Sequence, residues 1–186
     1  MNFELKIKEI SLDTYVLIGK INDKDIINNL IYFVKNNKDE KLSYNTNVKG
    51  HFTGFKSLIQ NKDFLNFLKI IQPNIKIVYK DNFIIQDVWG NLCKINEEVT
   101  EHDHGGITGF CGILYLTDNG PGTYFKEHDL LIKEEIGKYV LFHPLLKHNV
   151  KKIENDIERI TIAFNMNQFK EWENVSDIKW INKNDI

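Results

Sequence analysis

Two segments in the first half of the chain carry apolar residues at helical spacing. In the first, Asn22 and Asp23 can cap a helix whose apolar side comprises Ile26, Ile27, Leu30, Ile31 and Val34. In the second, Pro73 is expected to end a helix at residues 62–71, whose apolar repeat comprises Phe64, Phe67, Leu68 and Ile71. Both segments therefore predict helices, and the second should face the core.

Shorter apolar or alternating runs predict strands through most of the remaining chain. The predicted strands are residues 3–10, 14–21, 75–79, 83–88, 110–116 and 139–142. The run at 110–116 is the most apolar and should be central. Turns are predicted at residues 89–91, 118–122 and 144–146. The tail from Gln168, with Trp172 and Trp180, predicts a short helix and a docking segment.

Early helices followed by many short strands predict a mainly β fold with flanking helices. We expect a double-stranded β-helix, jelly-roll or cupin-like, buttressed by two or three helices. No linker or repeat divides the 186 residues, so residues 1–186 are predicted to form a single domain.

A formal charge of −2 predicts no nucleic-acid partner. The longest uncharged stretch, residues 105–117, is too short and too rich in glycine to predict a membrane span. Two cysteines without framework spacing, and an N-terminus unlike a signal peptide, lead us to expect a soluble cytoplasmic protein with reduced thiols.

Two histidines at alternating positions, His102 and His104, carry the candidate chemistry. Residues two apart on a strand share a face, so both rings would point together while Asp103 points away. Two neutral imidazoles and a third from another strand suit a divalent first-row metal, and the third candidate is His148. Asp103 could replace His104 only if a bulge re-aimed it. The plain alternative for this pair is a polar surface turn.

The segment 148–164 is typical of a hairpin that turns near residues 154–157. In the predicted register, His148 lies opposite Ala163, and Arg159 and Thr161 share its face. The opposite face, formed by Ile160, Ile162 and Phe164, would enter a packed layer. Arg159 would then lie roughly 13 Å along the strand from the metal site, which fits a short dicarboxylate with its far end on the guanidinium. An isolated strand arginine is otherwise most often a surface ion-pair partner.

The remaining histidines are weaker candidates. His143 need not share the face of His148. His128 lies in the sequence KEHD at residues 126–129, which predicts an exposed loop. His51 is a possible substrate contact, although a surface residue is the more frequent role. We therefore rank His143 fourth among the ligand candidates and His128 behind it.

The order of these motifs resembles the 2-oxoglutarate/Fe(II)-dependent oxygenase superfamily, and most closely its small prolyl-hydroxylase-like members in phages and marine microbes. The motifs are W-G-N at 89–91, HDH at 102–104, GILYL at 112–116, GTYF at 122–125, G-x-x-x-L-F at 137–142, His148 and R-x-T-x-x-F-N at 159–165. Residues 48–68 resemble the segment that precedes these motifs, so the resemblance covers most of the chain.

The resemblance implies a role for each candidate residue. His102 and His148 would bind Fe(II), with His104 in place of the superfamily's usual aspartate and Asp103 as the fallback. Arg159 and Thr161 would hold the far carboxylate of 2-oxoglutarate, for which Tyr115 is a weaker candidate; these three residues form the expected cofactor-binding group. The implied reaction is hydroxylation of a substrate with release of succinate and CO₂.

Three other interpretations stay open. A cupin-type metal enzyme without a cosubstrate usually has a glutamate four or five residues after its second histidine, where this chain has Thr108 and Gly109. A halide-dependent iron enzyme would use residues 104–106 as the metal-binding arm. The third is a non-catalytic jelly-roll protein with a binding or structural role. The substrate, a small molecule or a peptide, would contact residues 48–55 and 123–131, which contain no recognisable code.

Overall fold

The computed structural model describes residues 6–11, 14–78, 82–169 and 180–181. Its helices are α1 (Lys24–Asn36) and α2 (Lys62–Val78). Its strands are β1 (Lys6–Ser11), β2 (Thr14–Lys20), β3 (His51–Phe52), β4 (Asn82–Cys93), β5 (Val99–His102), β6 (Phe110–Tyr115), β7 (Thr123–Phe125), β8 (Leu130–Ile132), β9 (Lys138–Phe142), β10 (His148–Val150), β11 (Arg159–Phe169) and β12 (Trp180–Ile181). A short 3₁₀ turn, Lys126–His128, joins β7 to β8.

The strands form two antiparallel sheets. The larger sheet has the order β1-β2-β9-β6-β11-β4-β12, with β3 also paired to β4, and the smaller has the order β5-β10-β7-β8. Strand β6 lies between β9 and β11, as expected for the most apolar strand. The predicted mainly β, jelly-roll-like fold with flanking helices is therefore confirmed.

Helix α1 begins as predicted, because the Asp23 carboxylate accepts hydrogen bonds from the backbone N–H groups of Asp25 and Ile26 at 3.1 and 3.0 Å. The prediction that Pro73 ends α2 is wrong, since the helix continues to Val78. Residues 75–78, predicted as a strand, are therefore helical. Proline costs a helix one hydrogen bond, but Ile75 continues the buried apolar face beyond it, and this packing keeps the segment helical.

Strand β4 includes residues 89–91, so the predicted turn there is wrong. All three residues are buried, and α1 packs against the outer face of the strand at Gly90. A side chain at Gly90 would place its Cβ 2.3 Å from a methyl group of Val34. The glycine in this motif therefore permits close helix–sheet packing rather than a change of chain direction.

The predicted hairpin between β10 and β11 is also wrong. His148 pairs with His102 of β5, whereas β11 lies between β4 and β6 in the other sheet. In a two-sheet sandwich, consecutive strands can belong to different sheets, so the turn-based register does not apply. The predicted faces of β11 survive, because alternation within one strand fixes them whatever the partner.

Apolar residues fill both sides of the larger sheet. Its outer face packs against α1 and α2, and this cluster includes Ile160, Ile162 and Phe164 as predicted. Two further clusters lie between the sheets. Cys93 and Cys111 are both buried and free, in agreement with the absence of framework spacing.

None of the helices in the described part of the chain is long and apolar enough to cross a membrane. The predicted tail helix, with Trp172, falls on residues 170–179, outside the described residues. Gln168 belongs to β11 and Trp180 to β12.

Candidate metal centre

Three histidines from two parts of the chain meet between the sheets. His102 ends β5, His148 begins β10 directly opposite it, and His104 follows two residues after β5. One candidate ligand nitrogen from each ring lies within 4.8 Å of the other two. This grouping brings together the three residues predicted to share a metal ion.

Hydrogen bonds orient two of the three rings. The Nδ1 atom of His102 lies 2.8 Å from the carbonyl oxygen of Thr100, and Nδ1 of His148 lies 2.9 Å from that of Leu146. A carbonyl oxygen only accepts, so each Nδ1 carries the proton and each Nε2 keeps a lone pair for a metal.

His104 is held differently. Its backbone N–H donates to the carbonyl of Pro144 at 2.9 Å, and its ring stacks on that of His148 with centroids 5.3 Å apart. Its ring nitrogens make no hydrogen bond to the described residues. The turn at residues 144–146 therefore supports both His104 and the approach to His148.

Burial keeps the histidine rings neutral. Burial together with His102 and His104 lowers the pKa of His148 to about 3, and burial together with His102 lowers that of His104 to about 4. Burial also lowers the pKa of His102. Neutral imidazoles with free lone pairs are the form that binds first-row metals, so the donor set fits such an ion.

The other predicted ligand candidates lie outside this group. Asp103 is exposed, and its carboxylate accepts from the backbone N–H of Gly105 at 3.1 Å. His128 and His143 are not members of the group, and Nδ1 of His143 accepts from the N–H of Leu145. His51 is half-buried in β3, and its Nε2 has no hydrogen-bond partner among the described residues.

A narrow cavity of about 40 Å³ extends from the three histidines between the sheets. On β11 it is lined in succession by Ala163, Thr161 and Arg159. Ala163 pairs with Trp89 of β4, whose ring centroid lies 6.4 Å from that of His104. Arg159 lies four residues from Ala163, roughly 13 Å along the strand. The cavity therefore has a histidine end and an arginine end.

Arg159 is the only arginine among the 24 basic residues of the chain. Only 2% of its surface is exposed, and its Nε donates to Oε1 of Glu134. Burial alone would lower the pKa of Arg159, but the charge and hydrogen bond of Glu134, together with the Cys93 and Tyr115 side chains, raise that pKa overall. The guanidinium is therefore a buried cation with one carboxylate partner.

Thr161 and Tyr115 lie beside Arg159, as neighbours across β6 and β11. The ring centroid of Tyr115 is 5.9 Å from the guanidinium carbon. Its hydroxyl donates to Oγ1 of Thr123 at 2.7 Å, and burial raises its pKa, so the phenol stays protonated. Oγ1 of Thr161 accepts from the side-chain amide of Asn91 at 3.4 Å.

Sequence reasoning missed three residues of this site. Glu134 stands in a charged run that suggests a surface turn, yet Leu130 and Ile132 are buried and alternation from them places Glu134 inward. Trp89 and Asn91 fell in the segment predicted to turn. The indole Nε1 and the Asn91 Oδ1 are both buried without a hydrogen-bond partner among the described residues.

The sequence matches no protein-family model and no curated protein. Its fold does match solved structures. A viral collagen prolyl hydroxylase from Paramecium bursaria Chlorella virus 1, in a 2-oxoglutarate complex, is 14% identical, with a TM-score of 0.62 over 80% of this chain and 94% of that chain.

Two bacterial structures are comparably similar. A Pseudomonas putida prolyl-4-hydroxylase is 11% identical, with a TM-score of 0.60 over 89% of this chain and 92% of that one. HygX from Streptomyces hygroscopicus, with nickel, 2-oxoglutarate and hygromycin B bound, is 12% identical, with a TM-score of 0.60 over 85% of each chain. This chain therefore has the fold of the 2-oxoglutarate/Fe(II) oxygenases, and the resemblance seen in its motifs is confirmed at the level of the fold.

Proposed function

We propose that the protein is an Fe(II)- and 2-oxoglutarate-dependent oxygenase that hydroxylates a substrate. The observation that carries this proposal is the place of Arg159. A chain that otherwise uses lysine as its basic residue buries its single arginine in the cavity that begins at three histidines. A lysine would suffice for a surface ion pair, whereas a guanidinium can hold a carboxylate with two parallel hydrogen bonds.

His102, His104 and His148 would hold the iron. Their neutral rings need no proton release at physiological pH, and the carbonyls of Thr100 and Leu146 keep two of the Nε2 atoms available. The HygX structures, which have this fold, contain bound nickel, and this supports a first-row metal in a protein of this fold. Asp103 would contribute only if its segment rearranged, because its carboxylate is exposed and bonded to Gly105.

Arg159 and Thr161 would bind the far carboxylate of 2-oxoglutarate. The Nη groups of Arg159 make no hydrogen bond to described residues, so they remain available to a ligand. Tyr115 would act mainly as a wall beside the guanidinium, because its hydroxyl is already bonded to Thr123. The cavity is smaller than this ligand, so we expect binding to move the lining side chains apart.

Bound iron and 2-oxoglutarate would supply oxygen activation coupled to decarboxylation of the cosubstrate to succinate and CO₂. The protein would hold the histidine end and the arginine end of the cavity at a fixed separation. It would also exclude water from the space between them. The walls that exclude water are apolar and include Val99, Ile113, Phe142 and Val150. Dryness protects reactive species from side reactions and strengthens the hydrogen bonds that orient the ligand.

The substrate, a small molecule or a peptide, would approach the histidine end. Trp89 lies beside His104, and the ring of Phe55 contacts Trp89 edge-on at 5.5 Å. Phe55 is 42% exposed, so this aromatic pair connects the metal site to the surface. Phe55 belongs to residues 48–55, one of the two segments expected to contact the substrate.

The decisive experiment is an anaerobic titration of the protein with Fe(II) and then 2-oxoglutarate. We expect a weak visible charge-transfer band that requires both components and is lost in His148→Ala. His128→Ala, which removes a half-buried histidine outside the group, should retain the band. Absence of the band in the wild type at saturating concentrations would contradict the proposal.

A three-histidine metal enzyme without a cosubstrate is the second candidate. Two observations favour it: His104 supplies a neutral third ligand, and Glu134 gives Arg159 a partner that needs no cosubstrate. The two candidates differ in oxygen consumption by the iron-loaded protein with its substrate. Uptake that depends on 2-oxoglutarate, with matching succinate, supports the oxygenase, whereas equal uptake without 2-oxoglutarate supports the second candidate.

A further inference from the structure

Glu134 is a buried carboxylate that the proposed reaction does not use directly. It lies between β8 and β9, its side chain is fully buried, and its Oε1 accepts from Nε of Arg159. Its other oxygen, Oε2, has no hydrogen-bond partner among the described residues. Burying a charge is costly, and its ion pair with Arg159 must offset that cost.

The contact with Glu134 uses the side of the guanidinium and leaves its fork unused. Arginine has five N–H donors, of which one is on Nε and the rest are on the two Nη groups. Within the described part of the chain, Nε is the only side-chain nitrogen of Arg159 that makes a hydrogen bond. Glu134 therefore restricts rotation of the guanidinium while the paired donors that suit a carboxylate stay available.

The loop between β6 and β7 holds Glu134 in place. A Cβ added to Gly120 would lie 2.2 Å from Oε2 of Glu134 and 2.6 Å from its carboxyl carbon. The carboxylate is thus confined between this glycine on one side and Arg159 on the other. Any larger side chain at position 120 would push Glu134 against or away from the guanidinium.

The charges also match a dianionic ligand. The histidines are neutral and Arg159 and Glu134 cancel, so a divalent ion would leave the buried site with two positive charges. 2-Oxoglutarate carries two negative charges and would neutralise it.

We propose that Glu134 is a positioning residue that fixes Arg159 through Nε so that its two Nη groups receive the far carboxylate of the cosubstrate. This inference rests on the proposed function, because it assigns the cosubstrate to that fork. The proposal adds Glu134, from the loop between β8 and β9, to the residues of the arginine end.

The test compares Glu134→Ala and Glu134→Gln with wild type in the anaerobic Fe(II)-loaded protein, measuring the Kd of 2-oxoglutarate from the visible band. Loss of a hydrogen bond to a charged group predicts at least about tenfold weaker binding in Glu134→Ala. Glu134→Gln keeps an acceptor for Nε and should stay within about threefold of wild type. Affinity for Fe(II) itself should not change in either variant.

Glu135→Gln is the matched control, because Glu135 is the adjacent carboxylate and instead pairs with Lys20 and Lys138 at the surface. Gly120→Ala tests the same role without altering the carboxylate, and it should weaken 2-oxoglutarate binding in the same direction as Glu134→Ala. It also carries the test if Glu134→Ala does not fold.

Each contrary result has a definite meaning. Wild-type affinity in both Glu134→Ala and Gly120→Ala would overturn the positioning role. Tighter binding of 2-oxoglutarate in Glu134→Gln would show that Glu134 competes with the ligand. Equal weakening in Glu134→Gln and Glu134→Ala would show that only the charge of Glu134 matters. Either result would overturn the positioning role. Failure of the wild type to bind 2-oxoglutarate would instead contradict the proposed function.

Discussion

The histidine end of the cavity is built from neutral groups on short strands and a turn, whereas the arginine end is an ion pair that includes the first residue of the long strand β11. His102, His104 and His148 have depressed pKa values because burial disfavours their charged forms. Arg159 is more deeply buried than His102 and His104 but stays charged, because the usual pKa of a guanidinium lies far above neutral; Glu134 offsets part of the cost of burying it. Desolvation therefore leaves the imidazoles neutral and the guanidinium charged, and the buried cation at the arginine end is accompanied by a carboxylate.

The largest expected effect comes from breaking the arginine end. Arg159→Met should lower the free energy of unfolding by about 3–5 kcal/mol, because Glu134 is left buried without its partner. Chemical denaturation measures this loss. The double variant Arg159→Met with Glu134→Gln removes the unpaired charge and should recover part of the stability. If the single variant were as stable as wild type, Glu134 would not depend on Arg159.

Breaking the histidine end should affect metal binding rather than folding. His148→Ala should weaken Fe(II) binding by more than about 100-fold, since loss of a ligand costs more than loss of an outer hydrogen bond. His104→Ala should lose less, because no hydrogen bond orients that ring. Calorimetric titration under anaerobic conditions measures both values, with His128→Ala as the control. Equal losses in His104→Ala and His148→Ala would contradict the difference between the two rings.

Acidification should lower the stability of the metal-free protein gradually, through the histidine end of the cavity. The histidine pKa values are lower in the folded metal-free protein than the usual value near 6.5, so the unfolded chain binds more protons below about pH 7. Stability is therefore present above that range and lost as the pH falls toward about 3 to 4. Each such histidine contributes up to about 1.4 kcal/mol per pH unit.

The measurement is the urea midpoint of metal-free protein at a series of pH values. His148→Ala should show a shallower decline than wild type, because one depressed titration has been removed. His128→Ala should follow the wild-type curve. Parallel curves for wild type and His148→Ala would mean that His148 does not contribute to acid sensitivity.

The parts of the fold that sequence predicted correctly depend on local periodicity. The cap at Asp23, the central position of β6 and the two faces of β11 follow from spacing within one element. The errors arose where a distant contact decided the conformation. Pro73 is tolerated because Ile75 packs in the core beyond it, and residues 89–91 are extended because α1 packs on Gly90.

The same division applies to the site. The histidine spacing and the isolated arginine were visible in the sequence, and the structure places them along one cavity. The strand pairing that brings these residues together could not be predicted from the sequence. His148 pairs with His102 rather than with β11, and this depends on how the chain divides between two sheets. Glu134 was missed because a charged residue in a charged run gives no sign that its partner lies 25 residues further along the chain.

The burial of the two thiols affects how easily an oxygenase of the proposed kind would be oxidised. Burial raises the pKa of Cys93 to about 11, and it also raises that of Cys111, which lines the cavity. Oxidants attack the thiolate, and at neutral pH a thiol like Cys93 is ionised in only about one molecule in ten thousand. Sulfur beside an oxygen-activating centre would thus be kept in its least reactive form, which favours a long working lifetime.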